Sequence, residues 1–196
     1  GRRGAGVNAI SAIDVALWDI KGKYENKPVF ELLGGKKQNE VIPYASLQPV
    51  GHSFQEYKDS LVEWAKKAKD LGFKAVKSEV TLNGPYAHSG LKENDDKTTE
   101  VVQAVRNALG PEIKLMIDVQ YRWLNADEAL PVVKEWKDFD IYFLETPVWT
   151  DDIKSYARMH DEAPMKIAAG EWLSTRYEFE DLIVNGKIDV AQPDVG

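Results

Sequence analysis

Apolar residues spaced three and four apart alternate along this chain with short, nearly continuous apolar runs, a pattern that predicts amphipathic helices separating buried strands. Ile10, Ile13, Leu17 and Ile20 recur on one face of a helix predicted over 7–20, with Ala9, Ala12 and Ala16 small enough for close packing. A short helix over 27–35 is stopped by glycine. Further helices are predicted over 54–71, with Leu61, Trp64 and Ala68 on the apolar face, over 95–109 before Gly110-Pro111, from an Asn125 cap to about residue 136, and over about 176–184. Pro131 weakens the continuity of the helix that follows Asn125. Strands are predicted at 41–47, 75–80, 114–120, 141–148, 166–172 and 188–194.

Strand followed by helix, repeated, defines an α/β protein with a parallel sheet, and the expected form is a partial TIM-type barrel. Three of the strand segments deliver a carboxylate near their ends: Asp118 in KLMIDVQ, Glu145 in IYFLETPV and Glu171 in KIAAGEW. Parallel strands gather such ends at one mouth, so the three acids are expected to converge and to repel one another unless a cation sits between them. Oxygen-only donors favour a hard ion, and Mg²⁺ is the expected one. Taken singly, a strand-end acid is more often a surface residue or an ion-pair partner.

Composition narrows the classes of function. A net charge of −7 with no dense run of Lys and Arg lacks the electrostatic footprint of a nucleic-acid binder. Cysteine is absent, which excludes disulfides and thiolate chemistry. No apolar run approaches the roughly 18 residues of a membrane span, so no membrane association is expected and the cytoplasm is the default location. A homo-oligomer is expected.

The segments AISAIDVALWDIKGK, KPVFELLGG, GFKAVKSEV, IDVQ, FLETPV, AAGEW and DVAQPD, in that order, resemble the enolase superfamily, in its mandelate racemase and muconate lactonizing enzyme branch. The resemblance implies a (β/α)₇β barrel beneath a capping domain, with residues 1–40 a helical connector from the cap and 41–196 an incomplete barrel. Six strands do not close a barrel, so the protein is expected to be a fragment. The resemblance also makes Asp118, Glu145 and Glu171 the Mg²⁺ ligands, sets Lys77 against the substrate carboxylate, and gives Asp194 the task of orienting a histidine on a later strand.

At one position the sequence departs from that pattern. Glu79 stands where the family's second lysine is expected, and a period of two puts it on the same face as Lys77. It is expected to pair with Lys77, bind substrate hydroxyls or act as an alternative base, which argues against a two-base racemase of the usual kind. Gln120 is read as sharing the face of Asp118 and contacting ligand. His88, in the Gly- and Pro-bearing loop over 82–93, is the best placed of the histidines for a substrate contact. Trp149 and Trp172 are read either as pocket walls or as simple packing. The expected activity is Mg²⁺-dependent removal of the proton α to a carboxylate, most simply in a sugar-acid dehydratase acting on a small carboxylate substrate. The alternatives are a racemase, epimerase or cycloisomerase of the same superfamily, or an inactive fragment that only binds metal.

Overall fold

The computed structural model describes residues 4–194. Two helices come first, α1 (Ala5–Glu25) and α2 (Val29–Leu32), and then strand and helix alternate: β1 (Ala45–Leu47), α3 (Phe54–Asp70), β2 (Ala75–Glu79), α4 (Asp95–Leu109), β3 (Lys114–Asp118), α5 (Ala126–Glu135), β4 (Ile141–Glu145), α6 (Ile153–Glu162), β5 (Lys166–Ala169), α7 (Arg176–Val184) and β6 (Val190–Ala191). All six strands are parallel and lie in sequence order β1 to β6. The architecture is the expected one: α/β, with helices on the outer face of a sheet curling as a barrel does.

Side chains separate cleanly by face. Ala75, Met116, Phe143 and Ala168, with Val190 against them, form a small inner cluster. The outer face carries the main core, where Val76, Leu115, Ile117, Leu144 and Ile167 meet helix residues such as Leu61, Val101, Val105 and Leu130. Each fully buried aliphatic side chain there contributes about 1.5–3 kcal/mol. The alternation in β4 is reset by a register irregularity: Leu115 pairs Ile141, but Met116 pairs Phe143. The extra residue sends Ile141 to the outer core while Phe143 faces inward, and Glu145 shares the Phe143 face.

Helix boundaries follow their caps. Ser53 and Glu56 form a reciprocal capping box on α3, Asn94 caps α4, and the Asn125 side chain accepts from the N–H groups of Asp127 and Glu128 as expected. Pro131 does not interrupt α5. It lies on the exposed side, where water can bond the carbonyl that its missing N–H leaves free. Arg106 of α4 ties the outer layer together, donating to the carbonyls of Gly110, Ile113, Phe139 and Asp140.

The structure corrects several sequence expectations. β1 is far shorter than 41–47, because Pro43 has no N–H to give and, among the described residues, β1 pairs on one side only. β6 shrinks likewise beside Pro193, although the N–H groups of Asp189 and Gln192 still bond to Ile167 and Ala169 of β5. Trp64 is 40% exposed, since the buried stripe of α3 runs through Tyr57, Leu61, Ala65 and Ala68 and leaves Trp64 on its flank. The apolar stripe of α1 forms on the predicted helix but faces outward, with Ile10, Ile13, Leu17 and Ile20 all more than half exposed. No helix among the described residues is long and apolar enough to cross a membrane.

Candidate active site

The mouth at the C-terminal ends of the strands is built on one line of cross-strand neighbours. Glu79 pairs Asp118, and Asp118 pairs Glu145. Asp118 and Glu145 are 5% and 2% exposed, an extreme burial for carboxylates. Glu171 arrives from the loop after β5. It follows Gly170, whose φ of 120° lies in the left-handed region and where a Cβ would come within 2.5 Å of the Phe179 ring, so glycine is what allows the backbone to turn Glu171 toward the mouth.

Lys77 does not pair with Glu79. Its ammonium donates to both oxygens of Glu145, at 2.9 and 2.8 Å, while Glu79 accepts from the Thr81 hydroxyl at 3.3 Å. Burial acts to lower the Lys77 pKa, but the bond to Glu145 and the charges of Glu145 and Asp118 outweigh it, and the net shift is upward. Burial first, and then the Glu145 charge, push Asp118 up to about 7, against the opposing pull of Lys77 and of the Gln120 N–H. Glu171 is raised by burial and Glu145, opposed by Lys77 and the Tyr121 hydroxyl.

These shifts describe a mouth with more negative charge than its own cation neutralises. Among the described residues no three Asp, Glu or His side chains are gathered at ligating distance from one point. Asp118 and Glu145 nevertheless stand side by side, Glu171 lies within their electrostatic reach, and all the donors are carboxylate oxygens. This set fits a hard divalent cation, which would relieve the repulsion that raises Asp118 and Glu171.

The remaining candidates distribute unevenly. Gln120 lies past the end of β3 in a left-handed conformation, φ 43°, so the period-two argument fails there, and it is its backbone N–H that donates to Asp118 at 3.0 Å. His88, in a one-turn helix over His88–Gly90, sets its ring edge-on to Tyr57, a residue of the outer core. His160 pairs with Asp189 beside a bond to the backbone of Ile167, the second residue of β5 and so away from the C-terminal ends. Asp194 lines a cavity of 340 Å³ with Glu171, Trp172 and Ser174, and Gly4, Val7, Asn8 and Ser11 of the α1 end line its other side. Trp172 lines that cavity, and both Trp149 and Trp172 are in ring contact with Tyr121 and Tyr86. Sequence reasoning missed both tyrosines, and also Tyr57, whose hydroxyl accepts from Thr81 N–H at 2.7 Å and donates to the Glu79 carbonyl at 3.1 Å. A signal was present for the mouth rings: each follows a strand within its own loop.

Six parallel strands, with Asp118 and Glu145 at their C-terminal ends and Glu171 just beyond, define a barrel-type α/β protein. The chain belongs to the enolase superfamily, in the mandelate racemase/muconate lactonizing enzyme branch: residues 60–196 match the enolase C-terminal domain-like family and residues 4–34 the mandelate racemase/muconate lactonizing enzyme N-terminal domain. A D-gluconate dehydratase of Thermoproteus tenax is 34% identical over 186 residues, which are 95% of this chain and 36% of that protein. The crystal structure of the 3,6-anhydro-D-galactonate cycloisomerase from Zobellia galactanivorans superposes with a TM-score of 0.83 at 37% identity, over 100% of this chain and 50% of that one. An enolase from Bradyrhizobium, complexed with magnesium and mandelic acid, superposes with a TM-score of 0.79 at 27% identity, over 100% and 49% of the two chains. The chain thus spans about half, or less, of the length of the relatives it matches.

Proposed function

We propose that this chain carries the metal-binding half of an enzyme that removes the proton α to a carboxylate, and that its reaction is dehydration of a sugar acid. The observation that carries the reading is the buried Asp118–Glu145 pair, with Glu171 beside it and Lys77 against Glu145. Asp118, Glu145 and Glu171 would hold Mg²⁺, which when bound supplies Lewis-acid stabilisation of the negative charge built up on the substrate carboxylate. Support comes from the magnesium and mandelic acid bound by the Bradyrhizobium relative and from the dehydratase named among the relatives.

The protein's own residues take the other tasks. Lys77 is kept protonated by its carboxylate neighbours, so it neutralises charge on an acid substrate rather than accepting a proton. Glu79, on the same strand face, accepts one hydrogen bond, from the Thr81 hydroxyl, and its carboxylate suits a substrate hydroxyl. Asp194, on the cavity wall, is the acceptor that would orient an imidazole base. A cavity of 340 Å³ is in the size range of small-molecule sites.

The test is to incubate the full gene product with Mg²⁺ and a panel of hexonic and pentonic acids, following 2-keto-3-deoxy acid formation. Product is expected with at least one acid, and Asp118→Asn is expected to abolish it. The dehydratase reading fails if solvent deuterium enters C2 with no keto acid formed. Cycloisomerisation or epimerisation is the second reading, favoured by Glu79 as an additional acid/base group on the Lys77 face and by the cycloisomerase among the relatives.

A further inference from the structure

The three proposed ligands are not held alike. Asp118 accepts from the Gln120 N–H at 3.0 Å, and Glu145 accepts from Lys77 at both oxygens. Both of these acids close a strand, whereas Glu171 follows β5 across Gly170, in a loop, and is only partly buried. Ligating carboxylates are generally hydrogen-bonded in their turn, by neighbouring donors that fix their orientation on the ion.

The loop after β3 brings a donor of that kind to Glu171. Gln120 and Tyr121 are consecutive non-glycine residues with positive φ, 43° and 60°, and such backbone persists where its surroundings over-determine it. Bonds between two loops do so here: Val119, Tyr121 and Trp123 donate to the carbonyls of Glu145, Thr146 and Pro147. In extended backbone Tyr121 would share the outer face of Ile117 and Val119. The left-handed turn instead sets its ring 4.7 Å from that of Trp172, the residue after Glu171, and stacks it on Trp149 at 4.5 Å.

Tyr121 is 2% exposed, and its hydroxyl is buried without a hydrogen-bond partner among the described residues, although Glu171 lies within its electrostatic reach. Had packing been its whole task, phenylalanine would fill the place without the cost of an orphaned hydroxyl.

We propose that Tyr121 is the positioning residue for Glu171: its hydroxyl donates to the Glu171 carboxylate when a divalent cation occupies the mouth, and so holds the loop ligand on the ion. The proposal rests on the carboxylate-site reading above and adds to it a residue that is not itself a ligand. One strained turn then serves two of the three acids, Asp118 through the Gln120 N–H and Glu171 through the Tyr121 hydroxyl.

The test is Tyr121→Phe in the full gene product, which keeps the ring and removes the hydroxyl. Calorimetric titration with Mg²⁺ is expected to show affinity weakened about tenfold, the lower end of the range for losing such an outer partner and equal to about 1.4 kcal/mol. Because the hydroxyl is unpartnered in the metal-free protein, the urea midpoint without Mg²⁺ is expected to stay level or rise in the variant. A residue that merely supported the fold would lower that midpoint. With the tyrosine Cζ atoms isotopically labelled, the NMR signal that Tyr121→Phe removes is expected to shift on adding Mg²⁺, as the hydroxyl gains its acceptor. Unchanged Mg²⁺ affinity in Tyr121→Phe, a metal-free midpoint that falls, or a Tyr121 signal that Mg²⁺ does not move overturns the positioning role. Failure of the carboxylate-site reading shows separately, as an unmodified protein whose Mg²⁺ binding is absent or survives Glu145→Gln, and the proposal falls with it.

Discussion

The Lys77 ammonium grips both carboxylate oxygens of Glu145, at 2.9 and 2.8 Å, across 68 residues of sequence and in a place where Glu145 is 2% exposed. It places the protein's own cation at the point where a divalent ion is proposed to bind. The pair therefore has two consequences that can be measured apart, one on stability and one on metal affinity.

Replacing Lys77 by Met leaves Glu145 buried without its partner. The metal-free protein is expected to lose roughly 3 kcal/mol, the scale for breaking a buried pair from one side. Mg²⁺ is expected to restore more stability to Lys77→Met than to the unmodified protein, because Glu145 no longer has a competing cation. Urea unfolding with and without Mg²⁺ reads both effects, and equal Mg²⁺ responses in the two proteins would contradict the competition.

Asp118 gives a pH dependence with a definite sign. Burial and the Glu145 charge hold its carboxyl at about 7 in the folded protein, above its unfolded value near 4. Its contribution to stability is then fully present below the unfolded value and is lost as pH rises through the folded one. The thermal midpoint of the metal-free protein is expected to fall from about pH 5 to about pH 8 by this route, and Asp118→Asn is expected to flatten the curve over that window. A midpoint that rises across the window in the unmodified protein would refute the assignment.

Gly170→Ala is expected to destabilise by roughly 1–3 kcal/mol through its left-handed backbone. A further cost comes from the new Cβ, placed 2.5 Å from the Phe179 ring. Adding Phe179→Ala removes the clash but not the backbone strain, so the double variant is expected to recover only part of the loss seen in Gly170→Ala relative to Phe179→Ala alone. Because Gly170 turns the backbone into Glu171, Mg²⁺ affinity by calorimetry is expected to fall as well.

Tyr57→Phe removes the hydroxyl that accepts from Thr81 and donates to the Glu79 carbonyl, stranding a buried N–H. A loss of about 1–3 kcal/mol is expected from denaturant unfolding. A loss below about 0.5 kcal/mol would mean that Thr81 finds another acceptor.

By itself the sequence determined the alternation of strands and helices, the cap at Asn125, and the presence of an acid at the end of β3, of β4 and after β5. Those features are local: a period of two or 3.6, or a side-chain oxygen three residues from the N–H it accepts from, is written within one segment. Only the tertiary structure decided which segments meet. The pairing of Lys77 with Glu145 rather than Glu79 depends on cross-strand register, and an irregularity in β4 resets that register between Ile141 and Phe143. Gln120 left the predicted face because the strand ends at Asp118 and the backbone turns left-handed. The assembly of Tyr86, Tyr121, Trp149 and Trp172 joins four loops whose separation in sequence carries no mark of contact. The outward apolar stripe of α1 likewise shows that periodicity fixes a face but not what that face meets, since burial depends on neighbours that lie far away in the sequence.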